Sequence, residues 1–222
     1  TERDWQGRFE RRPKEDARPM LILAPMHPVM LVYDLDQTEG KPVPEELLKF
    51  ASFEGQFDAA KLTRLAKNAS RRDRISIAFK RLSSTNAGFA TIAPRSGGNK
   101  MRIAIHDGLD APSRYGVLSH ELAHIYLGHL GGDKDGWWPA RGNLTHDAME
   151  VEAEAVAYIV ARRAGLSGTS DRYLSRHLKD AGIPQSISLD LVAKVAGRLE
   201  EMSTKIMPKR RTARRGRTGS SS

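Results

Sequence analysis

Short apolar runs rich in β-branched residues alternate with turn-forming segments along the first half of the chain. Two such runs, residues 20–24 and 29–35, flank a segment with two prolines and predict a pair of strands. Three more runs occupy residues 75–79, 88–93 and 101–105. The glycine-containing turn between the last two indicates a hairpin. These runs predict a small, largely antiparallel sheet.

Apolar residues at helical spacing account for most of the remaining chain. Helices are predicted from Pro44 to near Phe53 and over residues 58–70, 113–130, 145–164, 173–181 and 188–202. We expect Gly131 and Gly132 to end the helix over 113–130, and Thr145 or Asp147 to cap the next one. The order of elements indicates an α+β fold with a helical half.

Composition narrows the class of protein and the kind of metal site. The chain has 222 residues, 39% of them hydrophobic, which suits either one medium-sized domain or one domain with appendages. It has no cysteine, so disulfides and thiolate metal sites are excluded, and a metal would need His, Asp or Glu ligands. We find neither the apolar core of a signal peptide nor an apolar run of ~18 residues, and therefore expect a cytoplasmic protein without a membrane segment.

The positive charge is concentrated near the end of the chain. The formal net charge is +9, and residues 203–222 hold seven Lys or Arg and no acidic residue, which leaves about +2 (9 − 7) for the rest. Few apolar residues accompany them, so residues 203–222 are predicted to be a disordered basic tail. The tail either aids solubility or binds nucleic acid weakly and without sequence preference.

Residues 120–124 carry the strongest chemical signal, the pattern H-E-x-x-H. Residues four apart share a helix face, so His120 and His124 are able to bind one Zn²⁺ together. Glu121 would then act as general base on the water that the metal activates. The sequence therefore predicts a zinc-dependent peptidase site, against the simpler interpretation of two histidines packed on a structural helix.

A catalytic zinc site needs a third protein ligand. His129 follows His124 by five residues, whereas the pattern with a third histidine after a turn needs six, so we interpret His129 as a supporting or structural residue. Three glutamates on the next helix remain: Glu150, Glu152 and Glu154. Helical phase favours Glu150 as the ligand, with Glu154 orienting a histidine and Glu152 as the alternative ligand.

The run His-Glu-Leu-Ala-His-Ile-Tyr-Leu-Gly-His at 120–129, followed by the glutamate- and alanine-rich segment 150–158, resembles the ImmA/IrrE family of bacterial metallopeptidases. This resemblance implies a zincin-like domain over residues 57–202 that cleaves a protein, often a DNA-binding transcriptional repressor. Residues 1–56 resemble the end of the single-stranded-DNA-binding region of ArdC-like antirestriction proteins. The family commonly has Asn at the position of Glu154.

Two questions stay open at the level of sequence. The group that would stabilise the oxyanion is one of six candidates: Tyr115, Tyr126, His146, Tyr158, Tyr173 and His177. The competing function is a nonenzymatic DNA-binding or antirestriction module in which zinc is structural. In that alternative, Glu121 would have no chemical role.

Overall fold

The computed structural model describes residues 1–24, 27–33, 35–42, 52–82, 86–168 and 184–210. Within these ranges the fold is mixed α+β. The helices are α1 Glu2–Phe9, α2 Ala59–Asp73, α3 Ala111–Tyr126, α4 His146–Arg163 and α5 Leu189–Thr204. The strands are β1 Arg11–Pro13, β2 Met20–Ala24, β3 His27–Val32, β4 Thr38–Gly40, β5 Phe53–Glu54, β6 Ile75–Lys80, β7 Gly88–Ile92, β8 Met101–His106 and β9 Ser167–Gly168. No helix in the described ranges is long and apolar enough to cross a membrane.

The largest sheet of the described residues has three strands in the order β6-β8-β7. The hairpin predicted for β7 and β8 is confirmed, since the two strands pair antiparallel with Ala90 opposite Ile103. Strand β6 pairs with β8 in parallel, with Ile77 opposite Ile103, so this sheet is mixed. Strand β6 pairs with β8 and not with β7, which follows it in sequence. Such nonlocal pairing has no local sequence signal.

The N-terminal strand pair is also confirmed, as β2 and β3 form an antiparallel ladder. The second strand begins at His27 and ends at Val32, earlier than expected. The helix predicted to end near Phe53 falls mostly on residues 43–51, which lie outside the described residues. Phe53 itself belongs to β5 and pairs with Gly168 of β9.

Polar side chains fix the starts of three predicted helices. Asp58, Thr145 and Ser188 each accept a hydrogen bond from a backbone N–H in the first turn, of α2, α4 and α5 respectively. Such caps satisfy amide groups that have no partner within the helix. The helix predicted over residues 173–181 lies outside the described part of the chain.

Helix α3 is the central element of the core and packs against the sheet, α2, α4 and α5. Its side chains Leu118, Leu122 and Ile125 are fully buried. A close approach occurs at Gly116, where a Cβ atom would lie 2.2 Å from the ring of Phe53. Only glycine fits at this position. Phe53 therefore packs directly on α3, although the sequence placed the start of the peptidase domain after residue 56.

A buried carboxylate joins the C-terminal residues to this core. Asp73, which has no solvent exposure, accepts hydrogen bonds from the Tyr126 hydroxyl at 2.6 Å and from Arg198 at 2.8 Å, and it forms an ion pair with Arg210. The predicted tail therefore begins later than Ser203 in the structure, since α5 runs to Thr204 and Arg210 is bound to the core. Residues 211–222 lie outside the described residues.

Replacement of Asp73 by Ala should lower the free energy of unfolding by roughly 3–5 kcal/mol, because it leaves the partly buried Arg198 and Arg210 without their counterion. Urea denaturation of the variant and of wild type measures the difference. The matched control is Asp107→Ala, whose side chain is half exposed and whose loss should cost about 0.5 kcal/mol or less. Equal losses for the two variants would contradict the structural role of Asp73.

Candidate metal centre

The two histidines of the H-E-x-x-H pattern lie in the C-terminal half of α3. Asp110 caps this helix by accepting the backbone N–H of Ser113, and Pro112 occupies its first turn, where a proline costs no hydrogen bond. One turn separates His120 from His124, and their Nε2 atoms are 3.1 Å apart. Both Nε2 atoms thus face the same point beside the helix.

Helix α4 supplies a carboxylate to the same point. Glu150 Oε2 lies 3.5 Å from His120 Nε2, and Glu150 Oε1 lies 3.4 Å from His124 Nε2. Tetrahedral zinc with ligands at ~2.0–2.1 Å would separate its ligand atoms by about 3.3 Å. The three measured separations match that value, so His120, His124 and Glu150 fit a zinc ion, as they also would other metals of similar size.

Glu121 is largely buried, with 8% of its surface exposed. Burial raises the pKa of its carboxyl, and the nearby Glu150 raises it further. The charge of His120 and a hydrogen bond from the backbone N–H of Ala90 oppose these effects, which leaves the pKa at about 7. A carboxyl with this pKa can exchange a proton near neutral pH.

The outer nitrogen of His120 contacts a second carboxylate. Its Nδ1 lies 2.9 Å from Glu154 Oε2, which is the contact that the predicted orienting role of Glu154 requires. Burial lowers the pKa of His120, but the hydrogen bonds to Glu150 and Glu154 outweigh burial and raise it to about 10. Burial and the charge of His120 lower the pKa of His124. Without metal, the pair therefore holds its proton on His120.

The predicted end of the HExxH helix is wrong. Helix α3 stops at Tyr126 instead of continuing to Leu130, because Gly128 adopts a positive φ of 82° that ends the helix. A Cβ atom on Gly128 would lie 2.1 Å from the carbonyl oxygen of Pro139, so no other residue fits. The chain turns back, and His129 Nδ1 comes within 3.0 Å of His124 Nδ1.

Glu152, the alternative ligand, lies away from the three-residue group. Its carboxylate is fully buried and accepts two hydrogen bonds from Arg141, each of 2.7 Å. It also contacts His129 Nε2 at 2.9 Å and accepts the backbone N–H of Ser188 at 2.6 Å. Burial raises the pKa of Glu152, but these partners outweigh it and lower the pKa to about 2.

The six candidates for oxyanion stabilisation differ in their position relative to the metal-facing group. The hydroxyl groups of Tyr115 and Tyr126 bind Ser203 and Asp73 in the core. His146 is mostly exposed, and its Nδ1 lies 3.7 Å from Glu150 Oε1, at the metal-facing group. Tyr158 is partly buried, and Tyr173 and His177 lie outside the described residues. His146 is the candidate that the described residues support.

Comparison of the chain with protein-family models, with curated proteins and with solved structures found no match. The resemblance to ImmA/IrrE peptidases and to ArdC-like proteins stays a prediction from the motifs.

Purified protein should bind about one zinc ion per chain, and Glu150→Ala should weaken binding by more than the ~10- to 100-fold typical of losing an outer partner. Isothermal titration with zinc measures both affinities. The matched control is Glu201→Ala, which removes a surface carboxylate paired with Lys205 and should leave zinc affinity unchanged. If Glu152→Ala weakens zinc binding more than Glu150→Ala does, the assignment of Glu150 is wrong.

The lowered pKa of Glu152 predicts a pH-dependent contribution to stability. A carboxyl with a folded-state pKa near 2 stabilises the protein fully above its ordinary value of 4.5, and loses this effect as pH falls from about 4.5 towards 2. The difference in unfolding free energy between wild type and Glu152→Gln should therefore shrink between pH 6 and pH 3. Denaturation of the metal-free proteins at both pH values measures it. A constant difference would contradict an ionised Glu152.

Proposed function

We propose that the protein is a zinc-dependent endopeptidase with a zincin-like catalytic domain and Glu121 as its general base. The observation that carries this proposal is the position of Glu121 beside the group formed by His120, His124 and Glu150. The side chains of this group are 13–26% exposed, so a substrate can reach them. The separations among their ligand atoms support zinc as the cofactor.

Bound zinc would supply a Lewis acid that polarises the scissile carbonyl and lowers the pKa of a water molecule. Glu121 then accepts a proton from the attacking water and delivers it to the amine nitrogen as the peptide bond breaks. Its pKa of about 7 suits both transfers, because neither protonation state is strongly preferred near neutral pH. His146, exposed beside Glu150, is the described side chain best placed to donate a hydrogen bond to the carbonyl oxygen.

Strand β7 supports binding of an extended peptide. It is an edge strand among the described strands, and its hydrogen bonds to β8 involve the odd-numbered residues, as the Ala93 N–H to Lys100 and His106 N–H to Ala87 contacts show. The backbone N–H and C=O groups of Gly88 and Ile92 and the C=O of Ala90 therefore point away from β8, while the Ala90 N–H is donated to Glu121. A peptide added as a fourth strand at this edge would pass beside Glu121, which Ala90 contacts.

The nature of the substrate rests on the motif resemblance. ImmA/IrrE peptidases act on proteins, often DNA-binding transcriptional repressors, and we propose a substrate of that class. The basic residues after 203 are proposed to bind nucleic acid weakly and without sequence preference, which would bring the enzyme near such a substrate. Arg210, however, is occupied by Asp73.

The composition of the metal-ligating group argues against a purely structural zinc. Structural sites usually have four protein ligands and are closed, whereas catalytic sites have three and keep a position open. Among the described residues, the group comprises three side chains. A structural site would also gain nothing from burying the carboxylate of Glu121 next to Glu150, because the two charges repel each other.

Glu121→Gln should abolish detectable peptide hydrolysis and leave zinc binding intact, since the residue contributes proton transfer but no metal ligand. Loss of a general base typically costs ~10²- to 10⁴-fold in rate. The assay incubates wild type and variant with the transcriptional repressors encoded beside the gene and detects discrete fragments by mass spectrometry. Zinc content is measured on the same preparations.

The matched control is Glu201→Gln, which changes a surface carboxylate of α5 that is paired with Lys205. This variant should cleave like wild type. Fragments produced equally by wild type and Glu121→Gln would contradict the proposed base. A zinc-loaded wild type that cleaves none of the repressors would favour the nonenzymatic DNA-binding module.

A further inference from the structure

The outer nitrogens of the two metal-facing histidines have different partners. His120 Nδ1 meets a carboxylate directly, at Glu154. His124 Nδ1 instead meets the imidazole of His129, and only the far nitrogen of that ring, Nε2, reaches a carboxylate, at Glu152. A second imidazole is thus inserted between a metal-facing histidine and its carboxylate.

The positions of the ring protons on His124 and His129 follow from counting hydrogen-bond donors and acceptors. The Nε2 atom of His124 faces His120 Nε2 and Glu150, so a metal there requires its lone pair, and the ring proton must sit on Nδ1. The 3.0 Å contact between two Nδ1 atoms needs one donor and one acceptor, so His129 accepts at Nδ1. Its own proton then sits on Nε2 and is donated to Glu152.

Burial excludes alternative hydrogen-bond partners for His129 and Glu152. The side chains of His129 and Glu152 are 1% and 0% exposed, so water cannot replace either partner. Glu152 is fixed in turn by the two nitrogens of Arg141 and by the N–H of Ser188, the cap of α5. The start of α5 and the loop before α4 thus hold Glu152 in place, and Glu152 in turn holds His129 against His124.

We propose that His129 and Glu152 are positioning residues that hold His124 in its Nδ1–H tautomer, with the Nε2 lone pair directed at the metal. This inference rests on the proposed zinc site and deepens it. Outer partners of this kind typically contribute ~10- to 100-fold to metal affinity.

Two substitutions of His129 separate positioning from packing. In His129→Asn the side-chain oxygen can still accept from His124 Nδ1, but the contact with Glu152 is lost. In His129→Gln the amide nitrogen can still donate to Glu152, but the acceptor for His124 is lost. We expect zinc affinity to fall ~10- to 100-fold in His129→Gln and less in His129→Asn, measured by competition with a chelating dye. The thermal stability of the metal-free proteins should fall in the opposite order.

Long-range ¹H–¹⁵N spectra of the zinc-loaded wild type test the tautomers without any substitution. The expected pattern is a protonated Nδ1 on His124 and a protonated Nε2 on His129. A protonated Nδ1 on His129, or zinc affinity that is unchanged in His129→Gln, would overturn this inference while leaving the metal centre intact. A wild type that binds no zinc would overturn both.

Discussion

Close packing of α3 against α4 is the constraint on which the candidate site depends. His120 and His124 belong to one helix and Glu150 to the other, so the three ligand atoms converge only if the two backbones come close together. Ala123 on α3 and Ala153 and Ala157 on α4 are essentially without solvent exposure. A larger side chain at these positions would push the helices apart and separate the carboxylate from both histidines.

The same packing determines the partners of three nearby glutamates. Glu150 and Glu154 are one turn apart on one face of α4, and both reach the histidines of α3. Glu152 lies between them in sequence but faces another direction, where it contacts His129 and Arg141. Three carboxylates are therefore tolerated within five residues because each one has at least one cationic or imidazole partner.

The sequence predicted those features that local rules determine. The cap of α4 at Thr145, one of its two candidates, the hairpin of β7 and β8, and the shared face of Glu150 and Glu154 follow from side-chain chemistry and helical period. The end of α3 was missed because it depends on the approach of Pro139 to Gly128. The parallel pairing of β6 and the ion pair between Asp73 and Arg210 join residues far apart in sequence, and no local pattern reports them. His129 was singled out by its spacing, but its link to Glu152 needed the tertiary structure.

The ion pair between Asp73 and Arg210 also bears on how the protein acquires its structure during synthesis. Residues 73 and 210 are 137 positions apart, and Asp73 is buried only when α5 and the residues after it are in place. A ribosome adds ~5–20 residues per second, so about 7–27 seconds separate the synthesis of Asp73 from that of its last cationic partner, 137 residues later. During that interval α2 and the sheet can form, but the core around Asp73 is incomplete. The packing around Asp73 thus reaches its final form only after Arg210 has left the ribosome.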